Sequence, residues 1–292
     1  MFIDIHVHAR KKPIMWRGNY YYTSPEKLIE IYDKIGVEKA VLLPGVNPEC
    51  SKQVGSTHEM LEICEMYPGR FIPFCNIDPR AVENSPTAPI DELLFIYKEL
   101  GCKGIGEVCA NLPFTHPLYL NFFKCVEKVG FPLTFHIAPQ IGNFYGIYDE
   151  PGLPGLEYCL NRFPNLIFIG HSQPFWAEIS QLEKPYDRYG YPNYPVKKEG
   201  VVPKLMRKYK NLYGDLSAGS GYNALARDLN YAVDFLNEFC DRLLFGTDIC
   251  APTTPTPLVD LLLRLKEEGK ISETVFNKIA RENAIKLLKL EE

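Results

Sequence analysis

Eight short apolar runs alternate with longer amphipathic runs along the whole chain, and this rhythm constrains the fold more than any other feature. The runs that read as strands are Phe2–His6, Lys39–Leu43, Phe71–Ile77, Lys103–Val108, Pro132–His136, Leu166–Gly170, Leu212–Asp215 and Arg242–Thr247. Each is bounded by Gly, Pro, Asn or Asp, as strand ends tend to be. The first helix opens at Ser24-Pro25-Glu26, where Ser caps, Pro suits the first turn and Glu favours the positive end of the dipole. Further helical stretches are expected at Thr57–Met66, Ile90–Leu100, Tyr119–Val129, Leu156–Asn161, Asn223–Asn237, Pro257–Glu268 and Ser272–Leu290. Strand then helix, eight times in 292 residues, predicts an α/β chain folded as one (β/α)8 barrel domain over residues 1–292. A doubly wound sheet fits less well, because Gly104-Ile105-Gly106 is followed by Cys109 where a dinucleotide fingerprint has Gly or Ala.

Two segments are longer than ordinary connections. Ala9–Thr23 follows strand one and carries Arg10, Arg17 and three consecutive tyrosines; Ser172–Val202 follows strand six and carries Arg188 and four more tyrosines. Both leave the strand ends where barrel active sites are built, so a substrate-lining role is expected of them. Composition narrows the partners. With 32 basic and 36 acidic residues the net charge is -4, which leaves no broad basic field for nucleic acid. No apolar run is long enough to cross a membrane. Nine cysteines, an odd number without a C-x-x-C, do not form a disulfide framework. The chain begins Met1-Phe2-Ile3-Asp4, with no basic, apolar leader, so a reduced, cytoplasmic protein is expected.

The histidines carry the chemistry. His6 and His8 stand two apart at the end of strand one, so their side chains share a face, and imidazole is a common zinc ligand. Asp4 has the same parity one step deeper and could support them. His136 ends strand five, His171 follows strand six, Asp248 follows strand eight, and Glu107 lies near the end of strand four. Five strands of one barrel thus finish on metal-competent side chains, and their ends converge on one mouth. The expected centre comprises His6, His8, Glu107, His136, His171 and Asp248. His58, on a helix, and His116, in a loop, are expected to be structural. Cys109 and Cys250 each follow a site carboxylate by two positions and read as small apolar filler beside the centre. Trp176, after His171, is placed either in packing or as a ring for substrate to stack on.

These motifs, Asp4-Ile5-His6-Val7-His8, Phe135-His136, Gly170-His171-Ser172, Gly246-Thr247-Asp248 and the tail Ile279–Leu288, resemble the amidohydrolase superfamily. The resemblance is to the amidohydrolase-2 branch of metal-dependent TIM-barrel hydrolases and decarboxylases. It implies that His6, His8, His136 and Asp248 ligate a divalent metal, most often Zn2+. His171 would bind a second ion or act on substrate, and Glu107 would stand where other members carry a bridging lysine, so one ion or two remain open. The implied reaction is hydrolysis of a small-molecule amide, ester or ring bond by a metal-activated water, with Asp248 as general base. Decarboxylation of an aromatic or unsaturated carboxylic acid is the alternative, and a metal-retaining binding protein without turnover is a third. For an acidic substrate, Arg10, Arg17 or Arg188 could hold the carboxylate. A homodimer is the assembly that the analogy suggests.

Overall fold

The computed structural model describes residues 1–50 and 52–291. Eight parallel strands carry it: β1 (Phe2–Val7), β2 (Val37–Leu42), β3 (Phe71–Pro73), β4 (Ile105–Val108), β5 (Leu133–Ala138), β6 (Phe168–His171), β7 (Leu212–Asp215) and β8 (Leu243–Leu244). β1, β2 and β3 form one ladder and β4 to β8 another, each in sequence order. Bridges at Cys75–Ile105 and Val7–Ile249 join the two ladders at both edges. The result is the eight-stranded ring expected from the strand–helix alternation. All but four of the residues in these strands are buried, and such continuous apolar runs are what strands covered on both faces need.

Two apolar clusters account for the packing. One gathers Ile3, Ile5, Val41, Leu43, Ile72, Phe74, Ile169 and Leu244 inside the ring, with Ala284 and Leu288 of the last helix against them. The larger one lies between the strands and the surrounding helices. The polar cluster described below therefore sits at the opposite end of the ring from the last helix.

Several elements are shorter than the apolar runs suggested. β3 stops at Pro73, which has no N–H to continue a ladder. β8 keeps two residues, because Thr247 N–H donates to Asp4 Oδ1 at 2.9 Å instead of to a neighbouring strand. β5 and β6 run further than expected, so His136 and His171 are paired residues of adjacent strands. The expected helix at residues 223–237 is two helices, Ala218–Ala226 and Leu229–Glu238. They part at Asp228, whose extended backbone lets its carboxylate cap the second by accepting from Tyr231 N–H. The C-terminal helix is likewise interrupted, by a π turn over Lys278–Glu282. The long loop after β1 contains a small hairpin, Met15–Trp16 against Asn19–Tyr20. The loop after β6 opens with the short helix Gln173–Ala177 and holds a 3-10 turn at Pro185–Tyr189.

Candidate metal centre

The strand-end residues do converge. His6 Nε2 lies 3.1 Å from His8 Nε2, 3.5 Å from Asp248 Oδ1 and 3.8 Å from Glu107 Oε2. His8 Nε2 lies 3.6 Å from the same Asp248 oxygen and 3.5 Å from the same Glu107 oxygen. Ligand bonds of 2.0–2.2 Å at tetrahedral angles place neighbouring donor atoms roughly 3.3–3.6 Å apart. Four donors from three strand ends thus stand at the spacing that a tetrahedral divalent ion needs.

The tautomers agree with that use. His8 Nδ1 lies 3.1 Å from Leu43 O, and a carbonyl can only accept, so Nδ1 carries the proton. His6 Nδ1 lies 2.6 Å from Asp215 Oδ2 and donates there. Both rings therefore turn an Nε2 lone pair towards the shared point, and two lone pairs this close repel unless a cation or proton lies between them. Asp215 stands beneath His6 where a carboxylate fixes an imidazole ring and raises its basicity, as carboxylates do behind histidines that bind metal. Burial opposes charge on His6, but Asp215, Asp248 and Glu107 outweigh it and hold the ring up at about 10. The cage is built for positive charge.

The other oxygen of Glu107 faces the second half of the cluster. Oε1 lies 2.7 Å from His136 Nδ1 and 3.8 Å from His171 Nε2. Burial would raise Glu107, yet His136, His8 and His6 hold it well below the carboxylate range. Burial lowers His136, so the pair is a neutral imidazole donating to a carboxylate. His171 Nδ1 meets Ser217 Oγ at 3.0 Å and Asp215 Oδ2 at 3.2 Å, and its Nε2 lies 3.9 Å from Asp248 Oδ2. His6 and His171 together hold Asp215 below its ordinary range against its burial. Asp248 has a left-handed backbone, φ 53°, and its N–H donates to His6 O. That turn bends its carboxylate back over β1.

Asp4 supports the centre, but not from the histidine face. β1 is irregular between Asp4 and Val7, so both Ile5 and His6 point into the ring. Asp4 points outward to the Tyr32 hydroxyl at 2.6 Å and accepts from the backbone N–H groups of His6 and Thr247. It clips the start of the His6 turn to the start of the Asp248 turn. Glycine makes similar room at Gly146 (φ 110°), where a Cβ would lie 2.8 Å from His136 O.

An open cleft of about 480 Å3, solvent mouth included, is lined by three of the first four donors, His8, Glu107 and Asp248, with His6 buried behind them. Tyr21, Tyr22, Cys50 and Tyr145 complete its walls beside His136 and Cys109. Burial, reinforced by the carboxylates, pushes the Cys109 and Cys250 thiols well up, which suits filler and not nucleophiles. His58 is exposed on its helix, and His116 caps the helix Pro117–Val129 by accepting from Leu118 N–H, as structural roles require.

Three expected substrate contacts lie elsewhere. Arg10 is fully buried behind the cleft wall, its N–H groups spent on the Ala9 and Gln53 carbonyls and its guanidinium 3.9 Å from the Tyr22 ring centre. Arg17 is exposed at the tip of the Met15–Tyr20 hairpin. Trp176 is buried, and its Nε1–H donates to Asp215 O at 2.7 Å, so it positions β7 and offers substrate no face. The first loop instead contributes Tyr21 and Tyr22. Asp215 and Tyr145 are additions that the sequence reading missed. Asp215 ends strand seven as Asp248 follows strand eight, so the same strand-end rule could have found it. Nothing local marks Tyr145, which lies in the loop after β5.

The comparisons bear on the whole chain. No curated protein matches it. Among solved structures it is similar to a protein from Acinetobacter baumannii described as a probable 2-pyrone-4,6-dicarboxylic acid hydrolase with citric acid bound (15% identity, 99% of each chain, TM-score 0.59). It is also similar to 2,6-dihydroxybenzoate decarboxylase from Rhizobium (18% identity, 100% of this chain and 99% of that one, TM-score 0.55). A third is 5-carboxyvanillate decarboxylase from Novosphingobium aromaticivorans, complexed with manganese and a nitrobenzoic acid (17% identity, 90% and 80%, TM-score 0.56). At these identities the likeness establishes the fold. The amidohydrolase family model matches residues 3–290, and with the converging histidines in place the chain belongs to the amidohydrolase family.

Proposed function

We propose that this protein is a metal-dependent hydrolase of a small molecule carrying an amide, ester or ring bond. The observation that carries this reading is the spacing of His6 Nε2, His8 Nε2, Glu107 Oε2 and Asp248 Oδ1, 3.1–3.8 Å for every pair measured from the two rings. These residues would hold a divalent ion, zinc first among the expectations. Bound there, the ion would acidify a water molecule and polarise the bond to be cleaved. Asp248 has the second task. With Oδ1 turned to His6 and His8, its Oδ2 faces the cleft side near His171 and takes the proton of the attacking water, then returns it to the leaving group. His171, steadied by Ser217 and Asp215, orients that carboxylate and faces the developing oxyanion. Glu107 ties the two halves together through its two oxygens.

His6→Ala combined with His8→Ala should abolish stoichiometric metal retention, measured by elemental analysis after dialysis; a folded double variant that keeps its metal refutes this site. One observation favours a second reading: two of the similar solved structures are decarboxylases of aromatic acids. Reaction in 18O-labelled water separates the two. Hydrolysis puts label into the product, and CO2 release without label in the organic product overturns it.

A further inference from the structure

The loop after β1 carries a surface that the metal centre does not use. From Ala9 to Thr23 it holds Arg10, Lys11, Lys12 and Arg17 and no acid, in a chain whose net charge is -4. Its middle is the hairpin Met15–Trp16 against Asn19–Tyr20, turned through Arg17 and Gly18, which are both left-handed. Every residue from Ile14 to Tyr20 is exposed, and the large apolar ones strongly so: Met15 is 60% exposed, Tyr20 51% and Trp16 49%. Met15 opposes Tyr20 across the ladder, so these two share one face, and Trp16 stands on the other.

The base of the hairpin is fixed. Gln53 accepts from Ile14 N–H at 3.1 Å and donates to Lys12 O at 2.9 Å. Glu59 accepts from Lys11 N–H at 2.8 Å, and Glu62 pairs with Lys11 Nζ at 2.8 Å. These two acids are thus spent on Lys11 at the base. Lys12 and Arg17 are exposed and enter no ion pair among the described residues. Exposed Lys52 adds a third cation beside them, its Nζ 4.2 Å from the centre of the Tyr21 ring.

A fixed ribbon with apolar side chains on both faces is ill matched to a flat protein surface, which would cover one face and leave the other in water. The interfacial zone of a bilayer surrounds what enters it. Trp and Tyr favour that zone, having an apolar body and a polar edge. Lysine and arginine beside them draw anionic headgroups. We propose that the Met15–Tyr20 hairpin docks this protein onto an anionic lipid surface, with Met15, Trp16 and Tyr20 among the headgroups and Lys12, Arg17 and Lys52 paired with their charges. Such docking needs no crossing segment, and no helix among the described residues is long and apolar enough to be one. The chain leaves the hairpin directly into Tyr21 and Tyr22 of the cleft wall, so docking holds the cleft beside the surface. No step of hydrolysis enters the proposal, and it stands or falls apart from that reading.

The chain supplies its own probe. Of its two tryptophans, Trp176 is buried with its N–H bonded, so a change in emission on docking belongs to Trp16. The full chain is mixed with vesicles of phosphatidylcholine alone and of phosphatidylcholine and phosphatidylserine in equal parts. Partition by sedimentation should be at least tenfold stronger on the anionic vesicles, with Trp16 emission shifted to the blue and quenched by brominated acyl chains. Lys12→Ala with Arg17→Ala removes two of the three cations and should lower that partition at least tenfold, and Trp16→Ala should also weaken it. Equal partition to both vesicles, Trp16 emission that anionic vesicles leave unchanged, or full binding by the folded double variant overturns the proposal. So does a chain that sediments as a dimer without lipid and becomes monomeric in Trp16→Ala, since the hairpin would then be covered by a second copy.

Discussion

Two groups of buried acids in this molecule are driven in opposite directions. Around the candidate metal centre, imidazoles face Glu107 and Asp215 and hold both well below the ordinary carboxylate range, although both are buried. Around Arg188, Asp149 and Glu178 share one guanidinium between them, and burial wins: they are pushed up to about 6 and about 7. Depth does not set the sign. What decides it is how many cations, or future cations, face each carboxylate: two or more imidazoles face Glu107 and Asp215, whereas a single guanidinium acts on both Asp149 and Glu178. The first group is kept ionised, Glu107 facing the shared point of His6 and His8 and Asp215 behind His6. The second is partly protonated, and Arg188 Nη2 has no hydrogen-bond partner among the described residues.

The largest effect that would break this contrast comes from Asp215→Asn. Asp215 carries no expected metal contact; it holds the Nδ1 sides of His6 and His171 at 2.6 and 3.2 Å. Both rings meet the same oxygen, Oδ2, while Oδ1 accepts from Ser217 N–H at 2.9 Å; an amide sets its NH2 group either against the two rings or against that N–H, and it carries no charge, so the hold on the two imidazoles is weakened. Loss of such a supporting carboxylate typically costs 10–100-fold in metal affinity. Metal competition titrations should show a fall of about that size, and an unchanged affinity would mean that His6 is held by packing alone.

How much of this was legible beforehand follows from what each residue answers to. The strand ends were readable, since a run that stops on His or Asp states both its place and its chemistry, and the ring then brings the ends together. Register was less so. Asp4 was placed on the histidine face by strict alternation, and the irregularity after it reverses that parity, a local event with no mark in the pattern of apolar residues. The arginines show the same boundary from the other side. Arg10 and Arg188 both occur in long, tyrosine-rich loops. Only the folded loop decides that Arg10 is saturated by carbonyls and an aromatic face while Arg188 keeps an N–H unspent. Loop backbones that carry side chains to a site leave almost no periodic signal, which is also why Tyr145 was missed.

A pH experiment sharpens the contrast at an intermediate size. Glu178 ionises near 4.5 when unfolded and near 7 in the folded chain. Between those values the folded state holds a proton that the unfolded state has released, so stability falls as pH rises. From pH 5 to 7 this one group removes about 2 kcal/mol, an upper figure for a side chain that keeps some solvent contact. Glu178→Gln cannot ionise and should flatten that slope. In thermal unfolding, the drop in Tm between pH 5 and pH 7 should shrink by about 4 °C. A variant with the wild-type slope would show that Glu178 is ionised throughout and fully paired with Arg188, and the contrast between the two groups of acids would fail.

The smallest effect on the fold belongs to the cation that the sequence made most conspicuous. Arg17 sits in a basic, aromatic loop directly after the first pair of histidines, yet it is exposed at the tip of a short hairpin, with a left-handed backbone (φ 50°), and it does not line the cleft. A solvated side chain gains little from a charge it can pair with water instead. Arg17→Ala should change stability by less than about 0.5 kcal/mol, at low and at neutral pH alike, and so leave the slope set by Glu178 as it was. A larger loss in the same thermal unfolding would mean that Arg17 pairs with an acid of the fold, as Arg188 does with Glu178. Exposure would then no longer divide the two arginines, and the hairpin would hold no unpaired charge at its tip to offer an anionic surface.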